Sequence, residues 1–295
     1  SRWVTIGMQA VGVLLVFWIV NKKINPSYKL AWTMLILIFP VFGGALYLLF
    51  GKSRIGAVME QHYQKLIDET SEYLDESECT RKHLMKDDQS MAIQSEYIWK
   101  YSRYPVHENT SAEYFQVGDD MFPVLVHELE QAKHFIFIEY FIINDGVMWQ
   151  TILNILEKKA KEGVDVRLIY DGFGCLTTLP YKYYEEMRKR GIKCQVFNPF
   201  RPILNIIQNN RDHRKICVID GWTGFTGGIN LADEYINQRK RFGHWKDTAV
   251  MLKGEGVWNM TAMFLYMWGI VTNTDTSSDF ANYVPHRWHP DDFEG

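Results

Sequence analysis

His213, Lys215 and Asp220, followed by Gly227-Gly228 and Asn230, bring a nucleophile, a fixed positive charge and a carboxylate within eight residues of one another. His213, Lys215, Cys217 and Ile219 alternate with the period of a strand, so the imidazole and the ammonium point to one side, about 7 Å apart along it. Both then reach a single phosphate. A neutral imidazole attacks phosphorus to give a covalent phosphohistidine, which splits a difficult displacement into two easier ones. Lys215 would neutralise charge on the phosphate oxygens meanwhile. A lone H-x-K is ordinarily the polar face of a strand. The Asp five positions after the Lys, the Gly pair and Asn230 turn the reading toward chemistry.

Several elements must position these groups. Residues 134–143 read as an apolar strand, and 148–162 as a helix with Ile152, Ile155, Leu156 and Ala160 on one face. Residues 164–170 read as a strand ending at Asp171-Gly172, 181–190 as a helix closed by Gly191, and 193–197 as a strand. The motif strand follows, then a tight Asp220-Gly221 turn and a strand over 223–226. Strands separated by helices predict a mixed, mainly parallel sheet covered on both faces, one lobe of an α/β/α sandwich over 111–295.

The chain has 295 residues, is 47% hydrophobic and carries a formal charge of -3. That length buries a sizeable core. The charge argues against a polyanionic partner for the chain as a whole, so phosphate recognition must be local and no nucleic acid is expected. Cys79, Cys175, Cys194 and Cys217 have neither C-x-x-C nor zinc spacing, which suits a reducing compartment. His286 and His289 with Asp291 and Asp292 read as a polar tail rather than as metal ligands. No metal and no cofactor is expected.

Residues 3–20 and 30–50 carry no charge, and each run is long enough to cross the roughly 30 Å hydrocarbon core as a helix. With the Lys-rich, Pro26-containing link between them they predict a two-helix transmembrane hairpin over 1–51, in which Pro40 and Gly43-Gly44 kink the second helix or let the first approach. Lys22, Lys23 and Lys29 in the link are balanced by Arg2, Lys52 and Arg54 on the flanks, so charge does not orient it. Residues 52–110 predict a juxtamembrane amphipathic helix and a mixed linker. Phe200-Arg201-Pro202-Ile203-Leu204-Asn205-Ile206-Ile207 reads equally as a loop dipping into lipid or a partly buried one. Arg239, Lys240 and Arg241 form a second basic cluster, by default a solvated turn.

The string H-x-K-x4-D-x6-G-G-x-N resembles the signature of the phospholipase D superfamily. With Ile138-Glu139-Tyr140-Phe141-Ile142, Tyr170-Asp171-Gly172 and Trp245-Lys246-Asp247-Thr248, it is most similar to bacterial cardiolipin synthases. The resemblance implies a phospholipase D-like lobe at a cell membrane, facing the cytoplasm. It implies a phosphatidyltransferase that joins two phosphatidylglycerol molecules, with release of glycerol, through a phosphohistidine. It also implies roles for single residues: His213 as nucleophile or acid/base partner, Lys215 with Asn230 and Gly228 around the phosphate, Asp220 fixing its neighbours, and Glu139 supporting the His. Such enzymes converge two motifs on one site. No other His here is followed by the full pattern; His244 has Lys246 in place, but Met251 stands where the Asp belongs. The chain is therefore expected to be the first half of the catalytic unit, its second lobe coming from a C-terminal half or a second chain. A homodimeric single-motif phosphodiesterase or nuclease is the other reading.

Overall fold

The computed structural model describes residues 2–22, 26–51, 54–75, 77–199 and 210–285. The described residues divide into two compact units, the first up to Met59 and the second within 60–199 and 210–285.

The first unit holds α1 (Arg2–Val20), α2 (Pro26–Ile38) and α3 (Pro40–Phe50). The expected hairpin is thus replaced by three helices, because the second uncharged run breaks between Ile38 and Pro40. Inside a helix Pro lacks the N–H that would bond back, and its ring crowds the preceding turn. At the first position of α3 the missing N–H costs nothing. A Cβ on Gly43 would lie 2.6 Å from the Leu35 carbonyl oxygen, so the glycine lets the two short helices fold closely together. Among the described residues no helix is long and apolar enough to cross a membrane. Ile19, Trp32, Ile36 and Tyr47 form the small core of this unit, while Leu14, Phe17, Leu37, Ile38, Phe42 and Leu49 are exposed.

Past α4 (Arg54–Glu69), the stretch expected to be a mixed linker contains α5 (Glu78–Asp87) and α6 (Gln89–Ser102). Each of these two starts at a side-chain cap: Ser77 accepts from the Thr80 amide and Asp88 from the Met91 amide. These capping residues are why a charged, weakly apolar stretch forms separate helices.

The lobe is a seven-stranded sheet in the order β1-β7-β6-β5-β2-β3-β4. Its strands are β1 (Thr110–Phe115), β2 (Phe135–Tyr140), β3 (Asp165–Asp171), β4 (Lys193–Phe197), β5 (Lys215–Ile219), β6 (Thr223–Gly227) and β7 (Ala249–Gly254). The sheet is mixed as expected but not mainly parallel. Only the β2–β3 and β3–β4 pairs are parallel. The Asp220-Gly221 turn, with φ of 52° and 69°, closes β5 and β6 into a hairpin, and β7 and β1 continue antiparallel to the edge.

Helices α7 (Gly118–Gln131) and α8 (Val147–Lys161) join one hydrophobic core with Ile136, Ile138, Leu168, Cys217 and Phe225 of the sheet. On the other face α10 (Val257–Thr272) stacks Phe264 on Phe137, ring centroids 4.5 Å apart. Every side chain of β2 is buried, as a strand covered on both faces requires.

Candidate active site

Strand β5 begins at Lys215, so His213 stands just outside the sheet, exposed, while Lys215 is the first residue inside and buried. The two groups meet against Phe141. The imidazole centroid lies 4.7 Å from the centroid of that ring, and the Lys215 ammonium 5.3 Å. Lys215 Nζ also donates to the His213 carbonyl at 2.7 Å, which ties the charge to the peptide that carries the imidazole. Burial pulls the Lys215 pKa down to about 8, against the charges of Asp212 and Asp247, which favour the protonated form.

Glu139 does not take the role expected of it. Instead of supporting His213, it faces Arg214, whose Nη2 is 2.6 Å from Glu139 Oε1. The physical reason is the pleat: Glu139 of β2 sits opposite Ile216, one step out of phase with the Tyr140–Lys215 pair, and so points to the other side of the sheet. Glu139 is fully buried, and that burial pushes its carboxyl well above the usual carboxylate range against the pull of Arg214. Neither of its oxygens accepts a well-aligned hydrogen bond.

Asp220 is also elsewhere. It lies at the far end of β5, roughly 16 Å from Lys215 at a strand's rise per residue. There its carboxylate accepts from the amides of Lys133, His134 and Phe135 at 2.8, 2.7 and 2.9 Å, clamping the start of β2 to the β5–β6 turn. Among the described residues it bonds to no group beside Lys215, and it fixes backbone neighbours rather than meeting the phosphate.

Asn230 and Gly228 are brought to the site end of the sheet, in supporting geometry. Asn230 Oδ1 accepts from the Ile142 amide at 3.0 Å and its Nδ2 donates to the Tyr235 hydroxyl at 2.8 Å, so the buried amide ties the chain after β6 to the chain after β2. Gly228 lets a carboxylate approach: a Cβ there would overlap Asp247 Oδ1. Gly228→Ala should therefore displace Asp247 and cost about 1–3 kcal/mol of stability. A thermal melt matching that of the native chain would mean that Asp247 moves freely.

Asp247, Asp212, Arg214 and Phe141 join the site without having been singled out for it. Asp212 and Arg214 flank His213 in the sequence, and that adjacency was the available signal; Asp247 lies in the Trp245-Lys246-Asp247-Thr248 string but with no spacing that gives it a role. Asp171, at the end of β3, accepts from the Phe173 and Gly174 amides, each at 2.8 Å, and from the Asp212 amide at 3.1 Å. Of the second basic cluster, Arg241 pairs with Glu234 at 2.9 Å. The apolar 200–207 segment and the His286–Asp292 tail lie outside the described residues. Among the described residues no group of three or more His, Cys, Asp or Glu is placed to hold a metal ion.

Residues 125–268 match the family described as cardiolipin synthase, PLD-like domain, and residues 10–52 the family described as phospholipase D-nuclease N-terminal. A protein of Streptococcus mutans serotype c is 41% identical over 275 residues, which cover 93% of this chain and 59% of that protein. Cardiolipin synthase 2 of Bacillus cereus is 36% identical over 84% of this chain and 48% of its own length. Cardiolipin synthase 1 of the same organism is 33% identical over 95% and 55%. The chain spans about half the length of these cardiolipin synthases.

Proposed function

This chain belongs to the phospholipase D superfamily, with a phospholipase D-like domain of the cardiolipin synthase kind, and from that premise we propose that it is the first half of a membrane-bound phosphatidyltransferase. The observation that carries the reading is the pair of an exposed imidazole and a buried ammonium held against one aromatic ring at the mouth of the sheet.

In the forward step a ring nitrogen of one His attacks the phosphorus of phosphatidylglycerol. The bond from phosphorus to the glycerol oxygen breaks, and a second His supplies the proton that leaves with glycerol. In the return step the hydroxyl of another phosphatidylglycerol gives its proton to that second His and attacks phosphorus. The P–N bond breaks and cardiolipin leaves. His213 is one member of this pair, and a second lobe supplies the other. Lys215 stabilises the charge that grows on the non-bridging oxygens. Asn230, Gly228 and Asp247 hold the loops around the phosphate, and no metal enters any step. The exposed apolar side chains of α1 to α3 form a surface of the kind soluble proteins rarely leave bare, which supports attachment of the first unit to lipid. The cytoplasmic face of the cell membrane is the side we propose for the catalytic lobe, following the resemblance alone.

The test is direct. One His cannot serve as both nucleophile and leaving-group acid at one phosphorus, so the purified monomeric chain in detergent micelles with phosphatidylglycerol should form no cardiolipin. Supplying the second lobe should start the reaction. Cardiolipin made by the monomer sinks the half-site reading. Activity that rises as the chain dimerises, with cleavage of DNA, establishes the homodimeric phosphodiesterase instead.

A further inference from the structure

His213 is carried by a segment that no strand holds. Pairing of β5 with β2 begins at Lys215, opposite Tyr140, so the backbone of residues 211–214 has no place in the ladder and takes its shape from side chains. Asp212 is tied from behind by its amide, which donates to Asp171 Oδ2 at 3.1 Å. From the front, Asp212 Oδ1 accepts from both the amide and Nε of Arg214, at 3.3 and 3.0 Å. The same guanidinium reaches Glu139 on β2. Resting on the reading of His213 and Lys215 as the pair that handles phosphate, we infer that Arg214 is a positioning residue: its guanidinium, wedged between Asp212 and Glu139, fixes the peptides on both sides of His213 so that the imidazole and the Lys215 ammonium meet the same phosphate.

The residue type fits the task. A guanidinium is a rigid planar fork of five donors, able to serve two carboxyl groups on two elements at once, whereas an ammonium is a single point on a flexible stem. Charge bookkeeping agrees. Arg214 offsets Asp212, which is buried, while burial favours the neutral form of Glu139. The consequence reaches the site through the backbone, since the His213 carbonyl that Lys215 holds lies between Asp212 and Arg214. A displacement of about 1 Å in such a segment is enough to cost a well-aligned site on the order of 100-fold.

The experiment uses the full chain in micelles, tungstate as a phosphate mimic, and the imidazole resonances of His213, assigned by their loss in His213→Gln. The native chain should show saturable tungstate binding that shifts His213. Arg214→Lys and Arg214→Ala should each bind at least about tenfold more weakly while keeping the native near-UV dichroism. Millimolar free guanidinium should restore binding to Arg214→Ala, a rescue that a purely structural defect would not show. Asp212→Ala removes the same contact from the other side and should weaken binding alike; it decides the matter if Arg214→Ala does not fold. Native affinity in Arg214→Lys and Asp212→Ala, or a loss in Arg214→Ala that guanidinium does not repair, overturns the inference. Failure of the native chain itself to bind tungstate at His213 overturns instead the reading of the site as a phosphate site.

Discussion

Lys215→Met, assayed together with the proposed second lobe, is expected to lower kcat/KM for the proposed phosphatidyl transfer by a factor on the order of 10²–10³, or ~2.7–4 kcal/mol of transition-state stabilisation. The ammonium is buried, held beside the imidazole by its bond to the His213 carbonyl, and sits where water screens it poorly. Its depressed pKa of about 8 adds a signature in pH. The charge is present below that value and is lost as the pH rises through it, so turnover should fall above about 8. Stability should move the other way. The unfolded chain keeps its proton up to the ordinary lysine value of 10.5 while the folded chain gives it up near 8. Between those values the unfolded state binds more protons, and stability therefore rises with pH. Both trends should disappear in Lys215→Met. Native turnover in that variant, or activity that stays level across this window in the native protein, would show that the charge plays no part in the reaction.

Asp220→Ala is expected to do the opposite, lowering stability by about 3 kcal/mol while turnover per folded molecule falls far less than with Lys215→Met. The loss strands three backbone amides at the start of β2, which donate to that carboxylate over 2.7–2.9 Å. Urea titration of the variant measures the first effect, and assays normalised to the folded fraction measure the second. A variant as stable as the native chain but inactive would return Asp220 to the chemistry.

That contrast shows what the sequence could convey about this site. The spacing of His213, Lys215 and the Gly-Gly-x-Asn string was legible because those residues gather at one end of two adjacent strands. Asp220 belongs to the same string, yet five residues of extended chain carry it to the far end. Glu139 was recognisable as a buried carboxylate in need of a partner, but the choice between His213 and Arg214 rests on the register of β2 against β5, which no local pattern encodes. Asp247 comes from the chain between β6 and β7 and meets Gly228 only in three dimensions.

For the fold, α8, β3, α9 (Tyr183–Lys189) and β4 followed from their periodicity and closing residues. Strand β1 did not, because five of its six residues are exposed and show no alternation. It is a strand only because β7 offers it an edge. In the first unit, counting uncharged residues over 30–50 outweighed Pro40, already marked as a possible kink, and backbone sterics decided the outcome.

The pairing of β2 with β5 also governs how the lobe can be made. Strand β2 is apolar, central and complete by Tyr140, but its antiparallel neighbour is synthesised only after α8, β3, α9 and β4 have emerged. Throughout that interval the nascent chain carries an unpaired hydrophobic edge of the kind that recruits other strands. Closing it requires a long loop to be drawn in, a slow step for a topology with such distant contacts. Translation speed through residues 141–214, and chaperone cover over the same stretch, should therefore govern the yield of folded lobe.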